Sequence, residues 1–269
     1  HGRVRMTWGN CTDWCYHDYD ENGFETLTLT QRNGSDLPWS HPSVTGDGSV
    51  VGLEGVSDAM MTVFGYEPFG TDSRHRDDAG KVRLEENYVV RNGSATLVSR
   101  TWTSYVRVTV AGYAAIRRDE WRAADGDADR VDPRNAHSYG ITFSETDAGV
   151  PFGLRGRCAE SMDENGVLTV HSLGVAEGRV VDTARKSYEG NPFPTYEVKE
   201  YDAVRKTLLR TATCLTAGDR VLDECLSCYD EKNRLRSSVF SDGTSLTNAY
   251  SCCRLLWSRD RAGRTVLRS

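Results

Sequence analysis

Asp125, Asp127 and Asp129 alternate with small residues in the stretch Ala123-Ala124-Asp125-Gly126-Asp127-Ala128-Asp129-Arg130. Carboxylates at every second position can converge on one hard cation, as at the start of a calcium loop. Beyond that start the match ends. Arg130 stands where such a loop holds its turn glycine, and Ala136 where it holds a bidentate glutamate. The competing reading is a solvated acidic loop. Calcium at these three residues is the one cofactor the sequence suggests.

Thiol chemistry is the second candidate. The eight cysteines are Cys11, Cys15, Cys158, Cys214, Cys225, Cys228, Cys252 and Cys253. Cys225-Leu226-Ser227-Cys228 with the Cys252-Cys253 pair would supply four thiolates to zinc, but adjacent cysteines rarely present two thiolates to one metal. The even count fits disulfides in an oxidising compartment, with Cys11, Cys15, Cys225, Cys228, Cys252 and Cys253 as the candidates. Small buried thiols of a repeat core are the alternative. The histidines at 1, 17, 41, 75, 137 and 171 form no H-x-x-x-H pair, and no nucleophile elbow, P-loop or dinucleotide fingerprint is present. The sequence therefore names no catalytic residue. Trp8, Trp14, Trp39, Trp102, Trp121 and Trp257 offer ring faces to sugars or, equally, filling for a thin core. Asn10, Asn33 and Asn92 head glycosylation sequons and read first as turn residues.

The elements that carry these residues are strands. No long segment has a 3.6-residue period, and no capped apolar stripe of helix length occurs. Asn-Gly or Asp-Gly recurs at 22, 33, 47, 92, 125, 165 and 242, the dipeptides of tight hairpin turns. Alternating runs such as Thr26–Thr30, Tyr105–Val110 and Val167–Val170 lie between them. The expected fold is all-β and antiparallel. Gly190-Asn191-Pro192-Phe193-Pro194 reads as a break, because proline donates nothing to a ladder.

At 269 residues, 38% apolar and 27% charged, the chain is too hydrophobic for disorder. No apolar run approaches the roughly 18 residues of a membrane-spanning helix, so membrane insertion is not expected. His1-Gly2-Arg3 is no signal peptide, so any targeting segment is expected to be already absent or to lie upstream. Residues 1–200 carry 31 acids against 21 bases, and 201–269 carry 8 against 12. The C-terminal basic excess is spread through turns and forms no stripe, so nucleic acid is not an expected partner.

One grammar recurs: an aromatic and Asp, two or three turn residues, Gly or Asn, a base, then alternation. Tyr229-Asp230-Glu231-Lys232-Asn233-Arg234-Leu235 is one copy. Asp260-Arg261-Ala262-Gly263-Arg264 is another, with Arg259 in the aromatic place, and Tyr250–Leu255 is a degraded third. Upstream, Tyr19-Asp20-Glu21-Asn22-Gly23 lacks the base, Arg76–Val82 lacks the aromatic, and Met162–Leu168 lacks both. Asp closes such a turn through its carboxylate, and Gly or Asn accepts positive φ. Repetition every roughly 20–30 residues marks stacked units that bury their faces on one another.

This grammar resembles that of the YD-repeat, or RHS-repeat, proteins, well over 201–269 and patchily before. The resemblance implies hairpins strung into a curved, spiralling sheet that forms a β-shell or fibre. It also implies a non-enzymatic, structural role in a large bacterial protein, secreted or on the cell surface. Its signature would be carried by Tyr19, Asp20, Gly23, Tyr201, Asp202, Tyr229, Asp230, Asp260, Gly263 and Arg264, with the basic residues solvating the exposed face. The partners implied are copies of the chain or the rest of a longer parent, and an enclosed cargo. A glycan-binding or adhesion module is the alternative. The family's self-cleaving protease motif is missing, since Asp132-Pro133-Arg134-Asn135 shares only two letters with it. Three stretches follow: degenerate hairpin repeats over 1–110, a β-rich segment with the acidic loop over 111–195, and YD-type repeats over 196–269.

Overall fold

The computed structural model describes residues 6–8, 14–32, 41–45, 49–66, 81–126 and 128–267. Strands make up 64% of the chain, with no helix among the described residues, hence none long and apolar enough to cross a membrane. Eighteen of the twenty strands form one antiparallel sheet that is not closed into a barrel. This is the all-β, hairpin-built fold expected from the turns.

The sheet follows the chain. β1 (Met6–Trp8), β2 (Trp14–Tyr19), β3 (Glu25–Gln31), β6 (Asp58–Tyr66), β7 (Val82–Arg91) and β8 (Ser94–Val110) pair in succession, and the small β4 (Ser43–Val44) and β5 (Val50–Val51) pair with each other. β9 (Tyr113–Arg122) lies between β8 and β10 (Ala136–Phe143). From β11 (Cys158–Met162) the order is again sequential: β12 (Val167–Ala176), β13 (Arg179–Tyr188), β14 (Asn191–Asp202), β15 (Leu208–Leu215) and β16 (Val221–Tyr229). β17 (Leu235–Phe240), β18 (Ser245–Tyr250), β19 (Leu255–Arg259) and β20 (Thr265–Leu267) complete it. Contacts divide the chain into two units, residues 1–106 with 118–138, and 107–117 with 139–269.

The first unit has an oily core of ordinary kind. Strand side chains alternate between faces, so a two-residue apolar period delivers them all to one side. Trp14 and Tyr16 of β2, Leu27 and Leu29 of β3, and Ala59, Met61 and Val63 of β6 do this, with Leu53, Val56 and Val90 packed on them. The register sets Tyr16 opposite Leu29, and Leu29 opposite Met61. Gly52 lets the chain pass beneath: its φ is +81°, and a Cβ there would lie 2.6 Å from the His41 carbonyl oxygen.

The second unit begins with a core and thins into a single layer. Val150 and Leu154 of the loop after β10 pack with Ala115, Phe143, Ala159 and Val180. A smaller cluster joins Tyr196, Ala212 and Cys214. From Leu215 to Leu267, Ser238 is the one buried residue. Leu226 and Val239, paired across β16 and β17, stay 49% and 48% exposed.

Two-residue turns join several hairpins. Asn92-Gly93, Ala111-Gly112, Glu177-Gly178 and Glu189-Gly190 have positive φ at both positions, the conformation whose twist matches that of the flanking strands. The break read at 190–194 is instead the start of β14: Pro192, which has no amide to give the ladder, sits opposite Ser187, beside a register shift between Arg185 and Ser187.

Candidate functional site

The feature that recurs is a turn closed by an aspartate. At Asp20, Asp163, Asp230 and Asp260 the aspartate amide donates to the carbonyl four residues on, at 2.9–3.1 Å, and its carbonyl accepts from the amide three residues on. Its Oδ1 also accepts the amide of the fourth residue: Phe24 at 2.8 Å, Val167 at 3.0 Å, Arg234 at 3.0 Å and Arg264 at 2.8 Å. The residue before that amide has positive φ: Gly23 +82°, Gly166 +78°, Asn233 +60° and Gly263 +79°. A type I turn followed by a left-handed residue has this geometry. Two variants keep the logic. Around Asp202 the loop is one residue longer, with Lys206 in the left-handed place (φ +57°). At 240–244 the backbone role passes to Phe240, while Asp242 Oδ1 accepts the Thr244 amide at 2.9 Å.

Tyrosine marks a second regularity. At Tyr19, Tyr66, Tyr88, Tyr201, Tyr229 and Tyr250 the pairing slips by one, leaving Thr26, Arg83, Val98, Leu209, Arg236 and Leu256 as the extra residues of the partner strands. A bulge of this kind bends the strand and raises its twist. The Tyr-Asp dipeptide therefore places a bend beside a fixed turn.

The basic residues tie turns together. Arg234 Nε donates to Asp230 Oδ2 at 2.7 Å, Nη1 donates to the Ser251 carbonyl at 2.8 Å, and the guanidinium lies 4.5 Å over the Tyr250 ring. Arg261 donates to Asp242 Oδ2 at 2.6 Å and lies 4.0 Å over Phe240. Each clamp joins one turn to the turn two strands further along. Arg234 thus does more than face solvent, as the sequence suggested of these bases, and its side chain is only 27% exposed. Arg264, which bonds Asp260 at 3.3 Å, is 82% exposed.

The turn carboxylates titrate low. The Arg205 and Val204 amides hold Asp202 below the ordinary carboxylate range, and the Arg234 side chain and amide do so for Asp230. The Thr244 hydroxyl and amide, with Arg261, bring Asp242 down to about 2. A depressed folded-state pKa contributes stability that is complete above the unfolded value of about 3.9 and is lost as pH falls through the folded one. The melting temperature is therefore expected to hold to about pH 4.5 and to fall between about pH 4 and 2, as a calorimetric pH series would show. Asp230→Ala should lower it by about 2–4 °C at pH 7, and Asp230→Asn, which keeps an acceptor oxygen, by less.

The other sequence-singled residues are dispersed. Asp125 Oδ2 pairs with Arg134 at 2.9 Å, Asp129 Oδ1 accepts the Val131 amide at 3.0 Å, and Asp127 lies outside the described residues. Among the described residues no three metal-ligand side chains converge. Cys15, Cys225, Cys228, Cys252 and Cys253 are free thiols, and Cys11 lies outside the described residues. Cys225 and Cys228 are three apart on β16 and so face opposite sides, which excludes a bond between them. The Sγ atoms of Cys252 and Cys253 are 3.1 Å apart. Trp14 is core, and the Trp121 ring stacks on His137 at 5.0 Å with Arg130 5.3 Å from its centroid.

No family model matches this sequence, and no curated protein matches it. Among solved structures, the chain is similar to the crystal structure of TcdB2-TccC3 (11% identity, TM-score 0.26, 94% of this chain and 16% of that one). It is likewise similar to the TcdB2-TccC3-Cdc42 crystal structure (12% identity, TM-score 0.24, 96% of this chain and 16% of that one). A third is the Tc holotoxin pore of Photorhabdus luminescens (11% identity, TM-score 0.25, 94% of this chain and 16% of that one). The chain spans about a sixth of the length of the chains to which it is similar.

Proposed function

We propose that this chain is a non-enzymatic wall segment of a large YD-repeat protein, secreted or surface-borne. It contributes a run of hairpins to a β-shell or extracellular fibre. The observation that carries this reading is the single-layer strip after Leu215, held by aspartate turns and arginine clamps with one buried residue in its whole length. A sheet normally buries one face against another layer. A strip with two half-exposed faces suits a wall that is continued by the parent chain or by other copies, and that encloses or displays something else.

If the turns are interchangeable modules, the five residues of one should serve in another. Replacing Glu231-Lys232-Asn233 by Arg-Ala-Gly converts the turn at Asp230 into the sequence of the turn at Asp260. The exchange is expected to shift the melting temperature by less than about 3 °C, because one clamp bond, from Lys232 Nζ to the Cys252 carbonyl at 2.9 Å, is lost. Loss of cooperative folding would contradict the modular reading.

A glycan-binding module is the second reading, favoured by a polar hollow of about 320 Å³ in the first unit, lined by Glu85, Asn87, Ser99, Thr101, Thr103 and Arg118 among others. Retention on a glycan array that is lost with Thr101→Val would support it over the wall.

A further inference from the structure

The hairpin between β18 and β19 departs from the aspartate turns. Ser251 stands where Asp230 and Asp260 stand in theirs, and Cys252-Cys253 follows it where those turns carry Glu231-Lys232 and Arg261-Ala262. The loop is one residue shorter: the Ser251 amide donates to the Arg254 carbonyl at 2.9 Å, and no residue of it has positive φ. Ser251 Oγ accepts the Arg254 amide at 3.2 Å, in place of the aspartate carboxylate. Both thiols are exposed at this tip, with their Sγ atoms 3.1 Å apart and in contact.

The backbone beneath the thiols is anchored from the turn at Asp230. Lys232 Nζ donates to the Cys252 carbonyl at 2.9 Å, and Arg234 Nη1 donates to the same carbonyl at 3.3 Å and to that of Ser251 at 2.8 Å. The peptide joining the two cysteines is thereby fixed, and neither side chain belongs to a core cluster. Adjacent thiols held in this way react as one unit, since the second meets any group bound to the first without a diffusive encounter. Neighbouring α-carbons lie about 3.8 Å apart, short of the roughly 4.4–6.8 Å usual for a bridged pair. A bond between Cys252 and Cys253 is therefore strained and readily reduced, labile where a structural disulfide is inert.

We propose that Cys252 and Cys253 form a redox-active dithiol at this hairpin tip, which small disulfides of the peptide-thiol class close into a reversible bond between neighbours. In the first step one cysteine, its proton released to water, attacks one sulfur of the small disulfide. A bond forms between the two sulfurs and the old S–S bond breaks. The departing sulfur leaves with the electron pair and is protonated by water. In the second step the neighbouring cysteine, likewise deprotonated, attacks the protein-bound sulfur, and a second small thiol departs with that pair. The dithiol has then lost two electrons and two protons, and the small disulfide, as oxidant, has become two thiols.

The test adds oxidised glutathione to the reduced, folded full chain at about pH 8, followed by an acid quench, alkylation and tryptic mass mapping. Cleavage after Arg236 and Arg254 isolates both cysteines in peptide 237–254, and cleavage after Arg220 and Lys232 isolates Cys225 and Cys228 in peptide 221–232. Peptide 237–254 is expected to lose two hydrogens and to carry at least about tenfold less glutathione than the exposed Cys228, because the neighbouring thiol expels it. Cys252→Ser and Cys253→Ser should each keep the mixed adduct on the remaining thiol. Closure should be at least about tenfold slower in the same chain unfolded in urea, where the anchors are gone, and excess reduced glutathione should reopen the bond. A peptide that retains glutathione, bridges to Cys228, or stays unmodified while Cys228 reacts overturns the proposal. Equal closure rates in the folded and unfolded chain overturn it as well, as does a bond that excess reduced glutathione leaves closed. The wild-type map decides the matter even if a variant fails to fold.

Discussion

Replacing Leu29 with alanine is expected to lower the stability of the first unit by about 3 kcal/mol, the middle of the range for a buried leucine whose cavity cannot fully collapse. Leu29 is 0% exposed and sits between Tyr16 and Met61 in the register of β2, β3 and β6. Those neighbours are themselves pinned by pairing on both sides, so little can move into the space. Trp14 lies in the same core and reports the transition by fluorescence. The comparison is Leu226→Ala in the second unit, where 49% exposure limits the change to about 1 kcal/mol or less. Equal losses at the two positions would contradict the contrast between a packed core and a single-layer strip.

The second large effect is expected at Arg210, which holds the strip where its apolar contacts run out. Its Nη1 donates to Glu200 at 2.7 Å and its Nε to Glu224 at 2.5 Å, across β14, β15 and β16. The arginine is 27% exposed and the carboxylates 16% and 32%. Removing the cation leaves two half-buried carboxylates without their shared partner, on the strands either side of β15. Arg210→Ala is expected to cost about 2 kcal/mol, below the range for a fully buried pair because solvent screens part of it. Adding Glu200→Gln should recover about half, since the repulsion is then gone. Denaturant melts of the single and double variants measure both numbers. A double variant no more stable than the single would show that arginine packing, and not charge, holds the site.

The strands and the turns were legible because they depend on local chemistry. Asp followed three residues later by Gly or Asn specifies a hydrogen-bonded loop whatever surrounds it, and the turns at Asp20, Asp163, Asp230 and Asp260 share one backbone pattern. Ala111-Gly112, Glu177-Gly178 and Glu189-Gly190 escaped notice because Ala and Glu pay a conformational cost in the left-handed region that the strands on either side override. What depends on pairing between strands could not be read. The Arg234 and Arg261 clamps join residues some 17–21 apart in sequence through a register the sequence does not state. Tyr66, Tyr88 and Tyr250 at the slips, and the ion triad around Arg210, belong to the same class. A signal for the tyrosines did exist: each ends or interrupts an alternating run, and Tyr19, Tyr201, Tyr229 and Tyr250 stand immediately before a turn.

The reading of this chain as one stretch of a larger wall meets its most direct test in electron microscopy of the native parent protein, with its mass determined alongside. The expected result is a hollow shell or a regular fibre in which density for these hairpins runs continuously into neighbouring repeats on the β20 side of the strip. A compact, self-contained particle of about 30 kDa, the mass of this chain alone, would contradict it and leave the aspartate turns as the loop chemistry of an ordinary β domain.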